Sequence, residues 1–199
     1  MSVVAIAGVG GALGPAVVAR LEGPIAGAGR TLPQGVDDAQ SIDFLDAQAA
    51  QAWAEDLEAK FGGVRALLHL VGGWTGGHDA AAWATVEGPL IRSLQNTANA
   101  FAEPLKRSQG RFVMISSAQA VKPTWSNAAY AAAKAAAEAW TLALAGELKE
   151  SGATANVLAI NAIGDKPSSQ RPEQIAEAIA FLLSDAGAKM NGQRLALHR

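Results

Sequence analysis

Strand-like and helix-like stretches alternate along this chain from one end to the other, and that alternation restricts its fold more than any other feature. Ser2–Gly8 (SVVAIAG) is a short, apolar, β-branched run stopped by glycine, the pattern of a strand buried on both faces. Ala12–Glu22 reads as a helix, Pro24–Arg30 as a glycine-broken strand and Ser41–Phe44 as another short strand. Asp46 is placed to cap a helix over Ala47–Phe61, which Gly62-Gly63 ends. Val64–Val71 is the next buried strand, and helical stretches follow over Ala80–Thr85 and Leu90–Lys106. Arg111–Ser116 (strand), Asn127–Glu150 (an alanine-rich helix), Ala153–Ile160 (strand), Pro172–Ser184 (helix) and Gln193–Leu197 (strand) complete the chain. Such alternation predicts an α/β fold, a Rossmann-type doubly wound parallel sheet of about seven strands with helices on both faces. Ligands of such sheets bind at the carboxyl ends of the strands, near the reversal of strand order. No linker or repeat interrupts the pattern, so a single domain over residues 1–199 is expected.

Composition narrows the function. Half the residues are hydrophobic, only 6% are aromatic, and 45 are alanine, which suits closely packed helices. A net charge of −2 gives no electrostatic reason for a nucleic acid or an anionic membrane as partner. The chain has no cysteine, and its three histidines (His69, His78, His198) lack metal-ligand spacing, so no metal site is expected. Val3–Ala19 is uncharged, but it is short for a membrane span, holds four glycines and a proline, and follows no basic residue. A cytoplasmic, soluble protein is the expectation.

Gly8-Val9-Gly10-Gly11-Ala12-Leu13-Gly14 joins the first strand to the first helix. Glycines at such a turn permit a tight reversal, close approach of a pyrophosphate and close packing of helix on sheet. The helix start adds free N–H groups and a positive dipole end. No Walker lysine follows, which disfavours a mononucleotide loop. A carboxylate ending the second strand would bond a ribose hydroxyl, whereas an arginine there suits a 2′-phosphate. This strand ends at Gly29-Arg30, with no acid before Asp37, so NADP is preferred and NAD remains possible. Arg30 reads either as that phosphate partner or as a solvated arginine. Asp43 reads either as an adenine contact or as a turn residue.

The most specific constellation is Ser117 with Tyr130-Ala131-Ala132-Ala133-Lys134. Tyr130 and Lys134 are four apart, so they share a helix face. A free tyrosine is a poor base at neutral pH, and a cation one turn away lowers its pKa. The phenol can then exchange a proton with a carbinol or carbonyl oxygen while Ser117 bonds the same oxygen. A cofactor would carry the hydride.

Along nearly its whole length the chain resembles the short-chain dehydrogenase/reductases. Gly8–Gly14 resembles that family's cofactor turn, Asp43 its adenine-contacting aspartate, and His69-Leu70-Val71-Gly72 stands where the family has Asn-Asn-Ala-Gly. Ser117, Tyr130 and Lys134 match its catalytic residues, with the usual step of thirteen residues from serine to tyrosine. The resemblance implies a nicotinamide cofactor contacted by Gly8, Gly10, Gly11, Ala12, Leu13, Gly14, Arg30, Asp43, Phe44, Val71, Gly72, Gly73, Tyr130 and Lys134. It also implies that the lysine holds the nicotinamide ribose, and that two long helices pair between subunits in a homodimer or homotetramer. The chain departs from the family in several places. Ala7 and Ala12 stand for the threonine and the middle glycine of the cofactor turn; Pro89 stands, by spacing, where the tetrad asparagine belongs, with Asn96 two turns later; both asparagines of the fourth-strand motif are gone; Ile160-Asn161 replaces the Pro-Gly after the sixth strand; and the substrate-covering segment is cut to Ala162–Arg171.

Trp74, inside Gly72-Gly73-Trp74-Thr75-Gly76-Gly77, follows the fourth strand, where it can stack on a flat substrate or plug the core. This stretch is similar to one in dihydropteridine reductases, although that branch does not rely on the serine. Trp125 is a second candidate for the pocket wall, while Trp53, Trp83 and Trp140 fall at helical positions suited to core or interface. Two readings follow: an oxidoreductase moving hydride between NADP(H) or NAD(H) and a small carbonyl or alcohol, or a weak or inactive NAD(P)-binding sensor of the same fold.

Overall fold

A computed structural model describes residues 2–32 and 34–197; His198 lies outside them. In chain order the elements are β1 (Val3–Ala7), α1 (Gly14–Arg20), β2 (Ile25–Ala28), β3 (Asp38–Gln40), α2 (Ala47–Phe61), β4 (Val64–His69) and α3 (Ala80–Glu87). Then come α4 (Ser93–Ser108), β5 (Arg111–Ser117), α5 (Ala128–Leu148), β6 (Thr154–Ile160), α6 (Pro172–Leu183) and β7 (Arg194–Ala196). All seven strands are parallel in the order β3-β2-β1-β4-β5-β6-β7, the doubly wound arrangement expected from the alternation.

The pleat divides the core in two. Val3, Ala5 and Ala7 of β1 face one side with Trp53 of α2, Phe101 of α4 and Leu144 of α5. Val4 and Ile6 face the other with Val17 of α1 and Ile175 and Ile179 of α6. Alternate residues of one strand thus feed opposite layers, and both sides are apolar because helices cover both.

Local signals fix several boundaries where the sequence put them. The Asp46 carboxylate accepts from the backbone N–H groups of Gln48 and Ala49 at the start of α2, and Gly62 closes that helix at φ 73°. Three expectations shift. The first helix starts at Gly14 rather than Ala12, because successive turns bond Gly11 N–H to Gly8 and Gly14 N–H to Gly11. A π-helical turn over Gly88–Arg92 runs α3 into α4 without a break. The third strand lies at Asp38–Gln40, ahead of the expected Ser41–Phe44. Asp43 Oδ1 accepts from the N–H of Leu45, an Asx-type turn that competes with extension of the strand.

Two registers matter most for the site. Ala7 of β1 pairs with His69 of β4, and Ser117 of β5 pairs with Ile160 of β6. The carboxyl ends of these four strands therefore stand side by side at one edge, where the strand order reverses between β1 and β4.

Candidate active site

Gly8, Leu70, Ser117 and Asn161, which end or follow β1, β4, β5 and β6, line one cavity of about 690 Å³. Ala12, Leu13, Gly73, Tyr130 and Lys134 also line it. A second, narrower hollow shares Gly8, Gly11, Val71 and Gly72 with it and runs outward past Arg30, Asp43 and Pro89. Together they form a crevice across the edge of the sheet, of the size and position that such folds use for a ligand.

The glycines of the first turn have different duties. Gly8 sits at φ 84°, and a Cβ there would meet the backbone N of Val71 at 2.7 Å. A Cβ on Gly10 would stand 2.1 Å from the carbonyl oxygen of Thr31. Gly14 does not line the crevice: a Cβ there would fall 1.6 Å from the carbonyl oxygen of Val9, so this glycine serves the contact between helix and turn. Gly11 is exposed beside the crevice, with only Gly8 O at 3.3 Å from a Cβ. This bare backbone cradle fits a pyrophosphate, and no side chain caps α1.

Arg30 is exposed and lines the outer hollow with Thr31. Asp37 is no competitor: its carboxylate accepts from the N–H of Ile25, the first residue of β2, at the opposite end of that strand. Asp43 lines the outer hollow and holds the Leu45 turn, the second of its two expected roles. Phe44 lines the hollow too, but its ring packs on Trp53 with centroids 5.5 Å apart.

The candidate catalytic side chains are buried. Ser117, Tyr130 and Lys134 are buried at 2%, 9% and 6% exposure, and all three face the larger cavity. The Lys134 ammonium donates to the carbonyl of Ile115 at 2.9 Å. Burial pulls its pKa down to about 8, and the charge of Glu138 acts in the opposite direction. Burial also lifts the Tyr130 phenol above its ordinary value, with the Ser117 side chain opposing. The direction is opposite to the lowered pKa expected from the nearby cation: desolvation of the phenolate is the largest cause, and only the Ser117 side chain opposes it. Tyr130 is therefore protonated at neutral pH.

Residues the sequence reading passed over complete the arrangement. Glu138, one turn beyond Lys134, accepts from the Ser116 hydroxyl at 2.5 Å and from Arg194 Nε at 2.8 Å. Arg194 also donates to the carbonyl of Ser117 at 3.1 Å. The available signal was the spacing Tyr130, Lys134, Glu138, which repeats every fourth residue on one helix face.

The departures from the family pattern have structural consequences. His69 is buried, pairs through Nδ1 with the Thr97 hydroxyl at 3.0 Å, and has its pKa pushed to about 3 by burial and by Lys134, so it is neutral. Pro89 lines the outer hollow, and its carbonyl accepts from the Ser93 hydroxyl at 2.6 Å. Asn96 donates to the carbonyl of Phe44 and so ties α4 to the α2 entry instead of facing the reacting groups. The shortened segment closes on itself: Gln170 N–H bonds the carbonyl of Ala162, and Asn161 N–H bonds the Gln170 side chain. Ala162 and Ile163 of that segment line the cavity.

Of the candidate walls, Trp74 lines the cavity and is 66% exposed, so it does not plug the core. Trp125 does not line it; its ring is exposed and stacks on His78 at 4.3 Å. Trp53 is core, whereas Trp83 and Trp140 are partly exposed. Among the described residues no cluster of His, Asp or Glu could hold a metal, and no helix is long and apolar enough to cross a membrane.

A sheet of this order, with a glycine turn at its switch point and with Ser117, Tyr130 and Lys134 at its edge, defines a Rossmann-type α/β protein. The family model described as enoyl-(acyl carrier protein) reductase matches residues 26–170, and the chain belongs to this family of short-chain dehydrogenases/reductases. It is 28% identical to nodulation protein G of Azospirillum brasilense over 177 residues, covering 77% of this chain and 72% of that one. It is 30% identical to acetoacetyl-CoA reductase of Allochromatium vinosum over 138 residues, spanning 59% of this chain and just 56% of the relative. A solved short-chain type dehydrogenase/reductase from Mycobacterium ulcerans superposes with a TM-score of 0.89 over 98% of this chain and 88% of that one, at 20% identity, a likeness of fold.

Proposed function

We propose that this protein reduces a small carbonyl compound, or oxidises the corresponding alcohol, with NADP(H) in preference to NAD(H). The observation that carries this reading is the enclosure of Ser117, Tyr130 and Lys134 in one cavity with Gly8, Gly11 and Gly72. A nicotinamide dinucleotide, when bound, supplies or accepts the hydride. Gly8, Gly10, Gly11, Ala12 and Leu13 would receive the pyrophosphate, Arg30 the 2′-phosphate, and Asp43 and Phe44 the adenine side, with Val71, Gly72 and Gly73 along the nicotinamide side. Ser117 Oγ holds the carbonyl oxygen. The Tyr130 hydroxyl, neutral at working pH, delivers its proton to that oxygen as charge develops there. The Lys134 ammonium stabilises the phenolate left behind and holds the ribose. Trp74 forms the outer wall and suits a flat or apolar substrate.

The acetoacetyl-CoA reductase relative and the reductase family support the direction of reduction. Apolar surface on α5, where Trp140 and Leu142 are 39% and 41% exposed, suits pairing of two copies in a dimer or tetramer, and static light scattering measures it. The functional test is NADPH consumption at 340 nm with a panel of small ketones, quinones and β-keto thioesters. Turnover of at least one compound, with NADPH favoured over NADH, supports the proposal. Binding of NADPH with no turnover across the panel favours the sensor reading.

A further inference from the structure

We infer that Glu138, paired with Arg194, is a positioning residue of the reaction: together they fix the Ser116–Ser117 peptide beneath the reacting oxygen and set a counter-charge behind Lys134. The inference rests on the proposed roles of Ser117, Tyr130 and Lys134.

The geometry is specific. One carboxylate oxygen of Glu138 accepts from Ser116 at 2.5 Å, and the other accepts from Arg194 at 2.8 Å. Arg194 reaches past it to the carbonyl of Ser117 at 3.1 Å. The last two residues of β5 are thus tied from α5 through a side chain and from β7 through a backbone oxygen. The side chains of Glu138 and Arg194 are 10% and 23% exposed, so the pair is largely withdrawn from water. A desolvated pair is a poor investment in stability, since apolar replacements of similar volume serve a core as well or better. A positional role accounts for its presence here.

The charges around Lys134 argue the same way. Tyr130 and Glu138 approach from α5 itself, His69 from β4, and Arg194 from β7 behind Glu138. His69 is neutral and Tyr130 is protonated, so Glu138 is the one anion among these groups. Its charge opposes the burial that discharges Lys134. Loss of that charge moves deprotonation of Lys134 to lower pH, and the unpaired guanidinium of Arg194 would push it the same way.

The test compares the full-length wild type with Glu138→Gln and with the double variant Glu138→Leu/Arg194→Leu. Two pH profiles are read: NADPH-linked turnover, and the 13Cζ resonance of Tyr130. Tyr130 is the chain's single tyrosine, so its ring reports the discharge of Lys134 without overlap. In both variants kcat falls about 10- to 100-fold with KM for NADPH near wild type, as expected of a misplaced reacting group. The alkaline limb of turnover and the inflection of the resonance both move to lower pH. The double variant removes both members of the pair, so no guanidinium is left without its carboxylate, and it melts close to wild type, yet it does not recover the rate. A purely structural role predicts instead that the double variant recovers the rate and that neither pH feature moves; that result overturns the inference. A wild type that turns nothing over, with the inflection still displaced in the variants, overturns the proposed function and leaves the coupling of Glu138 to Lys134 standing. A stationary inflection overturns the inference whether or not the protein turns over.

Discussion

Lys134 donates its ammonium to the carbonyl of Ile115 at 2.9 Å, two residues before Ser117 on the same strand. That bond holds a buried cation against the strand that carries the serine, and it links the protonation of one helix residue to the geometry of the opposite wall. The chemistry therefore depends on Lys134 keeping its proton.

The pH dependence follows from that requirement. The pKa of Lys134 is depressed to about 8, whereas Tyr130 is raised above its ordinary value. Carbonyl reduction needs the ammonium and the neutral phenol together, so the rate is full below pH 8 and falls as pH rises through that value. Steady-state reduction between pH 6 and pH 10 checks this, and the falling limb is expected to belong to the lysine.

His69 gives a second pH signature, in stability. Its folded pKa of about 3 lies below the ordinary 6.5, so the unfolded chain binds more protons between those values. Stability from this group is present above pH 6.5 and is lost as pH falls toward 3, an effect on the order of a few kcal/mol. Urea unfolding at pH 7 and pH 4 is expected to show a smaller acid loss in His69→Asn than in wild type.

Two glycines of the same turn should fail in different ways. Gly14→Ala forces a Cβ to within 1.6 Å of the Val9 carbonyl oxygen and is expected to destabilise the fold by about 1–3 kcal/mol or more, read as a lowered melting temperature. Gly11→Ala meets only Gly8 O at 3.3 Å and is expected to fold normally but to bind NADPH weakly in calorimetry.

Much of this was legible in the sequence because the signals are local. The alternation of strand and helix, the Asp46 cap and the Gly62 stop depend on near neighbours, and each stands where expected. The cavity walls Gly8, Ser117, Tyr130 and Lys134 were legible because parallel strands place their carboxyl ends together. What was missed depends on distant partners. The third strand was placed late because an Asx-type turn at Asp43 claims residues with strand-like composition. Trp125 was aimed inward because nothing nearby in the sequence announces its stacking on His78. Glu138 does not stand out within the alanine-rich helix, since its partner Arg194 lies 56 residues away on an edge strand.

The proposed preference for NADP rests on Arg30 at the outer hollow. Arg30→Asp removes a cation and adds an anion where the 2′-phosphate would lie, and it is expected to weaken NADPH by about tenfold or more relative to NADH, a difference of about 1.4 kcal/mol or more. Ratios of kcat/KM for the two cofactors measure it.

The central claim is that the Tyr130 hydroxyl transfers the proton, and Tyr130→Phe tests it most directly, because it removes one oxygen from a buried ring. Turnover of a carbonyl accepted by the wild type should fall about 10²- to 10⁴-fold while NADPH binds as before. Turnover at the wild-type rate in Tyr130→Phe would contradict the account.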